Sequence, residues 1–183
     1  DVVAAVNGGA PFPMQSVVKL VVAAATLDAV DRRAWPLDDP VLVRREDLSL
    51  SVQPIADLVT ADGCATTLGD LVVRAVANSD SAANDILFRR LGGAAPVRIA
   101  GVRVDRQERD LQTVAAGIAW RPEFVEPALL QAAIAAVPPD RADAAFAASL
   151  TDGRDTATPL GMASLLHALA TGALLSPEST AFL

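Results

Sequence analysis

Apolar positions follow a helical rather than a strand-like spacing over most of the chain. The stretch from Ser16 to about Arg33 is apolar on nearly all faces, which predicts a central buried helix and not a surface helix. Ser79 or Asp80 can cap a later helix, which the glycine pair at 92–93 follows. The predicted helices cover residues 16–33, 67–77, 79–91, 122–137, 139–150 and 159–172.

Extended segments are fewer and shorter than the helical ones. Residues 1–6 predict a strand, and Asn7-Gly8-Gly9 predict its turn. Residues 36–66 are rich in turn formers, with a short extended piece at 41–43, and residues 94–112 are heavily charged without a clear period. Neither a repeat nor a linker divides the chain, so we expect a single domain that is mainly helical.

Composition narrows the possible partners. The chain has 183 residues, is 52% hydrophobic and carries a formal net charge of −7, which argues against a nucleic-acid surface. Every long apolar run is interrupted by charge or proline before it could span a membrane. The single cysteine, Cys64, excludes an internal disulfide, and the single histidine, His167, disfavours a zinc site or a Ser-His-Asp triad. Cys64 is expected to be a small buried hydrophobe, and His167 a surface or half-buried helix residue.

The only lysine, Lys19, lies three residues after Ser16, near the start of the predicted central helix. Arginine keeps its proton in proteins, whereas a desolvated lysine can lose it and act as a base. A hydroxyl one turn from a lysine can become a nucleophile, and a helix N-terminus favours the negative charge that develops there. The alternative is structural: Ser16 caps the helix and Lys19 extends its amine to solvent. These two residues alone leave both interpretations open.

Three further segments occur in an order that is typical of a known family. A Ser-Asp-Ser sequence at 79–81 follows the Ser-x-x-Lys sequence by about 60 residues, as in the penicillin-recognising serine enzymes. The segment 103–112 resembles the Ω-loop of the class A β-lactamases, and 154–159 resembles the sequence that closes that loop. The alternative for 103–112 is an ordinary charged, solvated loop. Together with residues 12–19, these segments make the chain similar to the class A β-lactamases.

The resemblance implies four catalytic residues. Ser16 would be the nucleophile, and its proton would be removed by Lys19, by Glu108 through a water, or by both. Ser79 would relay a proton to the leaving nitrogen, and Glu108 would then activate the water that hydrolyses the acyl-enzyme. Lys19 is accordingly expected to lie buried among Ser16, Ser81 and Glu108.

Four more residues acquire binding or structural roles by the same resemblance. Ser81 stands where the family has an asparagine that contacts substrate, and Gln112 where it has an asparagine that holds the hydrolytic water. Both are therefore assigned to substrate binding. Arg106 and Asp155 would form the ion pair that pins the two ends of the loop.

The chain also departs from the family pattern. Because Lys19 is the only lysine, the Lys-Thr-Gly strand that would complete the site is absent from this sequence. Residues 113–153 are far more than the family has in that part of the loop, which predicts a helical insertion, either a surface decoration or a lid. The absence of an initial methionine indicates a processed, truncated or partly ordered protein. The implied fold is an incomplete α/β domain over residues 1–183, mostly the helical part beside an antiparallel sheet.

The implied function is a serine hydrolase that opens the β-lactam ring through an acyl-enzyme on Ser16, deacylated by water that Glu108 activates. Two alternatives remain: a D-Ala-D-Ala peptidase or esterase-like hydrolase that only traps β-lactams, and a catalytically inactive binding module. The substrate would be a small β-lactam or a cell-wall peptide, with no cofactor, metal, nucleic acid or membrane span. The resemblance further implies a periplasmic or secreted protein, and we expect a monomer.

Overall fold

Helices make up most of the computed structural model, which describes residues 4–93 and 99–183. The α-helices are α1 (Val18–Asp31), α2 (Leu68–Ala77), α3 (Ser81–Arg90), α4 (Glu108–Ala115), α5 (Pro127–Ala135), α6 (Pro139–Thr151), α7 (Pro159–Ala170) and α8 (Pro177–Phe182). The strands are β1 (Phe12–Pro13), β2 (Pro40–Val43), β3 (Cys64–Thr67) and β4 (Thr156–Ala157). Short 3-10 helices cover Gln15–Val17, Arg45–Asp47, Pro54–Leu58 and Pro122–Val125.

Helix α1 forms the centre of the core, as its uniformly apolar sequence predicts. Ten of its fourteen residues are buried, among them Val21, Val22 and Leu27. Helices α2 and α3 pack against it and against each other. Because α1 is covered on nearly every side, a polar residue within it can be held in a desolvated position close to the start of the helix.

The helices α2 and α3 begin at side-chain caps that their sequences supply. The Thr67 hydroxyl accepts a hydrogen bond from Asp70 N, and the Asp80 carboxylate accepts one from Ala83 N. Asp80 also accepts a hydrogen bond from Ile55 N at 2.7 Å. Ser79, directly before this cap, adopts a positive φ of 55°, so the chain turns sharply between α2 and α3.

Two small antiparallel pairs of strands accompany the helices. In the first, β1 pairs with β4, so that Phe12 lies opposite Ala157. In the second, β2 pairs with β3. The β1–β4 pair brings the segment that precedes α1 next to residues 154–157, although they are far apart in sequence. A mainly helical fold with small antiparallel strand pairs agrees with the predicted fold class.

The segment 113–153 is helical, and the helix predicted over 139–150 is confirmed as α6 (Pro139–Thr151). The helix predicted over 122–137 is divided into the 3-10 helix Pro122–Val125 and α5, with Pro127 at the first turn of α5. Neither α5 nor α6 contains a buried residue, and α6 packs against α4. The segment is anchored by Trp120, whose ring lies 5.0 Å from the Arg109 guanidinium, and by an ion pair between Arg45 and Glu126.

Two other local predictions need correction. Residues 108–115, which lie mostly in the stretch predicted to be irregular, form α4. Of the strand predicted at 1–6, residues 1–3 lie outside the described part, and residues 4–6 are not in a strand. The turn that follows is present, since Ala10 N donates to Asn7 O. Part of the charged stretch, residues 94–98, also lies outside the described part.

Within residues 4–93 and 99–183, no helix combines the length and the apolar character that crossing a bilayer requires.

Replacing Asp80 by alanine should destabilise the protein. The variant loses the cap of α3 and leaves Ile55 N without its buried acceptor, so we expect the free energy of unfolding to fall by about 2–4 kcal/mol. Chemical unfolding followed by circular dichroism measures the change. Asp38→Ala is the control, because Asp38 is exposed and its loss should change stability by less than about 0.5 kcal/mol. Equal effects of the two substitutions would refute the role of this cap.

Candidate active site

Ser16 lies in the 3-10 turn that leads into α1. The turn begins at Gln15, whose φ is +50°, and follows Met14, which is buried. Met14 N donates to the carbonyl oxygen of Asp155 at 3.1 Å. Ser16 itself is exposed. The buried methionine and the backbone hydrogen bond therefore hold the turn in place while the serine hydroxyl stays open to a ligand.

Lys19 lies in the first turn of α1 and is only 2% exposed. Its Nζ donates to Glu108 Oε1 at 2.6 Å and to Ser16 Oγ at 3.3 Å. The amine is therefore not extended to solvent, which removes the structural alternative for this lysine. It bridges a surface hydroxyl and a buried carboxylate.

Glu108 is the first residue of α4 and is 4% exposed. While Lys19 binds Oε1, the Ser81 hydroxyl donates to Oε2 at 2.5 Å. Both carboxylate oxygens are thus hydrogen-bonded, which offsets part of the cost of burying the charge. Ser81 is linked to Lys19 only through this carboxylate. One continuous hydrogen-bond network therefore joins Ser16, Lys19, Glu108 and Ser81.

Asp85 orients Glu108 from α3. The residue before α4, Gln107, provides no side-chain cap. Instead the Asp85 carboxylate accepts hydrogen bonds from Glu108 N at 2.7 Å and from Arg109 N at 3.3 Å, as a capping residue would. Ser49 Oγ donates to the same carboxylate at 2.6 Å. Burial raises the pKa of Asp85 while these donors oppose the shift.

Arg106 and Asp155 join the two ends of the segment between them. Arg106 Nε donates to Asp155 Oδ2 at 2.6 Å. The other carboxylate oxygen accepts from the backbone nitrogens of Asp105 and Arg106, at 2.7 and 3.0 Å. Asp152 adds a second ion pair to Arg106 at 3.0 Å. These contacts hold the chain just before Glu108 against the residues that also bind the Ser16 turn.

Ser79 and Gln112 lie outside the network. In the part of the chain that the structure describes, no side-chain hydrogen bond joins Ser79 to Ser16, Lys19 or Glu108. Gln112 is one turn after Glu108 on α4, but its Oε1 accepts a hydrogen bond from Ser51 Oγ at 2.5 Å. Gln112 is therefore fixed beside the network and not joined to it.

The sequence analysis assigned no role to several supporting residues. For Asp85 a signal was present, because it lies four residues after Ser81 and so on the same face of α3. Ser49 and Ser51 had none, since they belong to a turn-rich stretch that only the fold brings to α3 and α4. Arg109, the residue after Glu108, also binds the turn-rich stretch, because its guanidinium donates to the Leu48 carbonyl oxygen at 3.4 Å.

The other candidates lie apart from this network. Cys64 is half-buried in β3, and His167 is exposed on α7. Residues 4–93 and 99–183 contain no group of three or more His, Cys, Asp or Glu side chains arranged to hold a metal ion. The network itself joins an exposed hydroxyl, a buried amine and a buried carboxylate by hydrogen bonds, in that order. Three groups joined in this way can move a proton from a nucleophile and then activate water.

Comparison with known proteins gives a family and a fold. A model of the beta-lactamase enzyme family matches residues 1–183. An ancestral class A beta-lactamase (GNCA) has a similar structure, with 29% identity and a TM-score of 0.67 over 98% of this chain and 57% of that protein. A beta-lactamase from Chitinophaga pinensis has 26% identity and a TM-score of 0.62 over 97% of this chain and 56% of that one.

The fold extends to more distant relatives. The chromosome-encoded beta-lactamase of Vibrio parahaemolyticus has 20% identity and a TM-score of 0.67, over 96% of this chain and 56% of that protein. The chain thus spans little more than half the length of these solved structures. Its matched family model covers every residue, and its fold agrees with theirs. The chain therefore belongs to the beta-lactamase enzyme family and has the fold of the helical part of the class A enzymes.

Proposed function

We propose that the protein is a serine hydrolase that opens the β-lactam ring through an acyl-enzyme on Ser16. The observation that carries this proposal is the buried Lys19, whose amine contacts both the Ser16 hydroxyl and the Glu108 carboxylate. A lysine with a purely structural role requires only a counter-charge, whereas Lys19 also contacts an exposed hydroxyl. Membership of the beta-lactamase enzyme family supports the substrate class.

Acylation begins with proton transfer along this network. Transfer from Lys19 to Glu108 over their 2.6 Å hydrogen bond leaves a neutral amine, which accepts the Ser16 proton as Oγ attacks the β-lactam carbonyl carbon. The backbone N–H of Ser16, at the start of the helical turn, helps to stabilise the oxyanion. The carbon–nitrogen bond of the ring then breaks, and the proton that Lys19 took from Ser16 passes through the Ser79 hydroxyl to the leaving nitrogen, which leaves Lys19 neutral again.

Deacylation depends on Glu108. Once Lys19 has taken back its proton, the Glu108 carboxylate activates a water molecule that attacks the ester carbonyl and releases Ser16. The hydrogen bond from Ser81 and the cap from Asp85 keep this carboxylate in one orientation.

A second candidate is a D-Ala-D-Ala peptidase or esterase-like hydrolase with the same nucleophile. The position of Gln112 favours it, because Gln112 Oε1 accepts a hydrogen bond from Ser51 and so is not free to hold a hydrolytic water beside Glu108. Such an enzyme would release D-alanine from a cell-wall peptide analogue and would form a β-lactam adduct that persists for hours. An inactive binding module, by contrast, would not be labelled at Ser16 by a β-lactam or a fluorophosphonate.

The same family membership supports a periplasmic or secreted location and a small-molecule partner. The monomeric state stays a prediction, which analytical ultracentrifugation of the full-length protein would test.

Replacing Glu108 by glutamine should trap the acyl-enzyme. The full-length parent should turn over a chromogenic cephalosporin, whereas the variant loses the general base of deacylation and should deacylate about 10²–10⁴-fold more slowly. Acylation should persist in the variant, because a buried amine without a carboxylate partner favours its neutral form and can still accept the Ser16 proton. Intact-mass spectrometry should then detect a stable adduct on Ser16. Glu123→Gln, a control carboxylate on the 113–153 segment, should retain turnover. A parent protein whose own adduct persists for hours would refute the hydrolase proposal and favour the peptidase.

Replacing Lys19 by arginine should abolish acylation although the positive charge is kept. Arginine cannot release its proton to act as a base, and its guanidinium does not fit the site of the buried amine. We expect the acylation rate of Ser16 to fall by at least about 10²-fold, measured by stopped-flow fluorescence or mass spectrometry. Arg141→Lys on α6 serves as a control for basic-residue exchange at an exposed position. Acylation of Lys19→Arg at the parent rate would contradict the role of Lys19 as a base.

A further inference from the structure

The side chain of Arg109 lies half-buried beside the proposed general base. Arg109 follows Glu108 in the first turn of α4. Its Nη1 donates to the carbonyl oxygens of Glu46 and Leu48, and both hydrogen bonds are long, at 3.4 Å. Its Nε is buried and has no hydrogen-bond partner in the part of the chain that the structure describes. The turn that contains Glu46 and Leu48 therefore satisfies this guanidinium only in part.

The charge of Arg109 is also poorly compensated. Burial lowers its pKa, and so does the neighbouring Arg89 guanidinium, although nearby carboxylates such as Asp85 oppose the shift. The carboxylate of Asp47 is bound by Arg89 at 2.8 Å. The lowered pKa means that the charged guanidinium is less favourable here than in water. A contact that stabilises the cation would therefore help to keep the side chain in this position.

The 113–153 segment supplies such a contact through Trp120. The centre of its ring lies 5.0 Å from the Arg109 guanidinium, close enough for the ring face to attract the cation. Phe124 packs edge-on against Trp120, with ring centroids 6.2 Å apart and an angle of 76° between the rings. Among residues 114–153, all of which the structure describes, Phe124 is the only one that is buried. The most tightly packed part of the segment is thus the part that holds Arg109.

The same turn receives the segment directly. The 3-10 helix that contains Phe124 packs against the 3-10 helix Arg45–Asp47. Glu126, which follows it, forms an ion pair with Arg45. The Arg109 side chain is therefore enclosed between this turn on one side and the aromatic pair on the other.

The clamp on Arg109 acts on the orientation of α4. Consecutive helical residues project about 100° apart, so Arg109 and Glu108 lie on different faces of the helix. Lys19 and Ser81 hold the Glu108 side, and Trp120 holds the Arg109 side. Attachments on two faces fix the rotation of a helix about its own axis, and this rotation decides where the Glu108 carboxylate points.

We propose that Trp120 is a positioning residue for the general base and that it acts through Arg109 on Glu108. The proposal rests on the proposed deacylation by Glu108. A reacting group that is misplaced by about 1 Å can lose about 10²-fold in rate, and deacylation requires the carboxylate to face the attacking water. Acylation is less sensitive, because Lys19 contacts Ser16 directly. The 113–153 segment thereby affects the rate of hydrolysis although it adds no group to the network.

The test measures acylation and deacylation of Ser16 separately, in the full-length protein and with one penicillin. Quenched-flow with intact-mass detection gives the rate at which the adduct forms and the rate at which it decays. Trp120→Ala should lower the deacylation rate by about 10–100-fold and leave the acylation rate within about threefold of the parent. Trp120→Phe, which keeps a ring face for the guanidinium, should restore most of the lost rate.

Matched variants separate positioning from stability. Trp35→Ala removes the same kind of contact elsewhere, because Trp35 lies 4.8 Å from the Arg90 guanidinium. It should leave the ratio of deacylation to acylation unchanged, even where it lowers the melting temperature as much as Trp120→Ala does. Arg109→Ala should match Trp120→Ala, and it carries the test if the tryptophan variant does not fold. The double variant should deacylate no more slowly than the slower single variant, because the two residues act as a unit.

The outcomes distinguish this proposal from the proposed function. If Trp120→Ala slows both steps equally, or if Trp35→Ala changes the ratio to the same extent, the positioning role fails and the hydrolase stands. Independent, additive losses in the double variant would overturn the route through Arg109. A parent protein that is not acylated, or whose adduct persists for hours, would refute the hydrolase, and the positioning role would fail with it.

Discussion

The hydrogen-bonded ion pair between Lys19 and Glu108 is the interaction on which the rest of the site depends. It joins the central helix α1 to α4 across 89 residues of sequence, in a region where both side chains are almost completely buried. Burying two charges costs free energy that their attraction alone does not recover. The hydrogen bonds from Ser81 and to Ser16 offset part of that cost and connect the pair to the surface. Removal of one partner would leave the other buried without its counter-charge, which costs about 3–5 kcal/mol in comparable pairs.

Three buried aspartates hold the elements around this pair, and each does so by accepting backbone N–H groups from a distant segment. Asp80 binds the backbone of Ile55, Asp85 binds the start of α4, and Asp155 binds the chain at 105–106. Each carboxylate replaces hydrogen bonds that a loop or a helix end would otherwise make to water. The position of Glu108 therefore depends less on its own neighbours in sequence than on Asp85 and Asp155.

The 113–153 segment relates differently to the fold. Its helices α5 and α6 bury no residue, so they contribute little to the core, and they are attached mainly through α4, Trp120 and the Arg45–Glu126 ion pair. Away from Trp120 and Phe124, such a segment can change in sequence without disturbing the network of Ser16, Lys19 and Glu108. Two of its apolar residues, Phe146 and Leu150, line a cavity together with α4.

Local sequence was sufficient to predict α1, α2, α3, α6 and α7, because their apolar residues lie within the segments themselves. For α2, α3 and α7 the segment also supplies the side-chain cap. It was also sufficient to single out Lys19 and to relate it to Ser16 and Glu108 through the family resemblance. Helix α4 was not predictable in this way, because its cap, Asp85, comes from α3. Residue spacing also does not predict the hydrogen-bond partners of Ser81 and Gln112, which are Glu108 and Ser51. Hydrogen bonds between segments depend on where the packed core places them, and the spacing of residues along the chain does not contain that information.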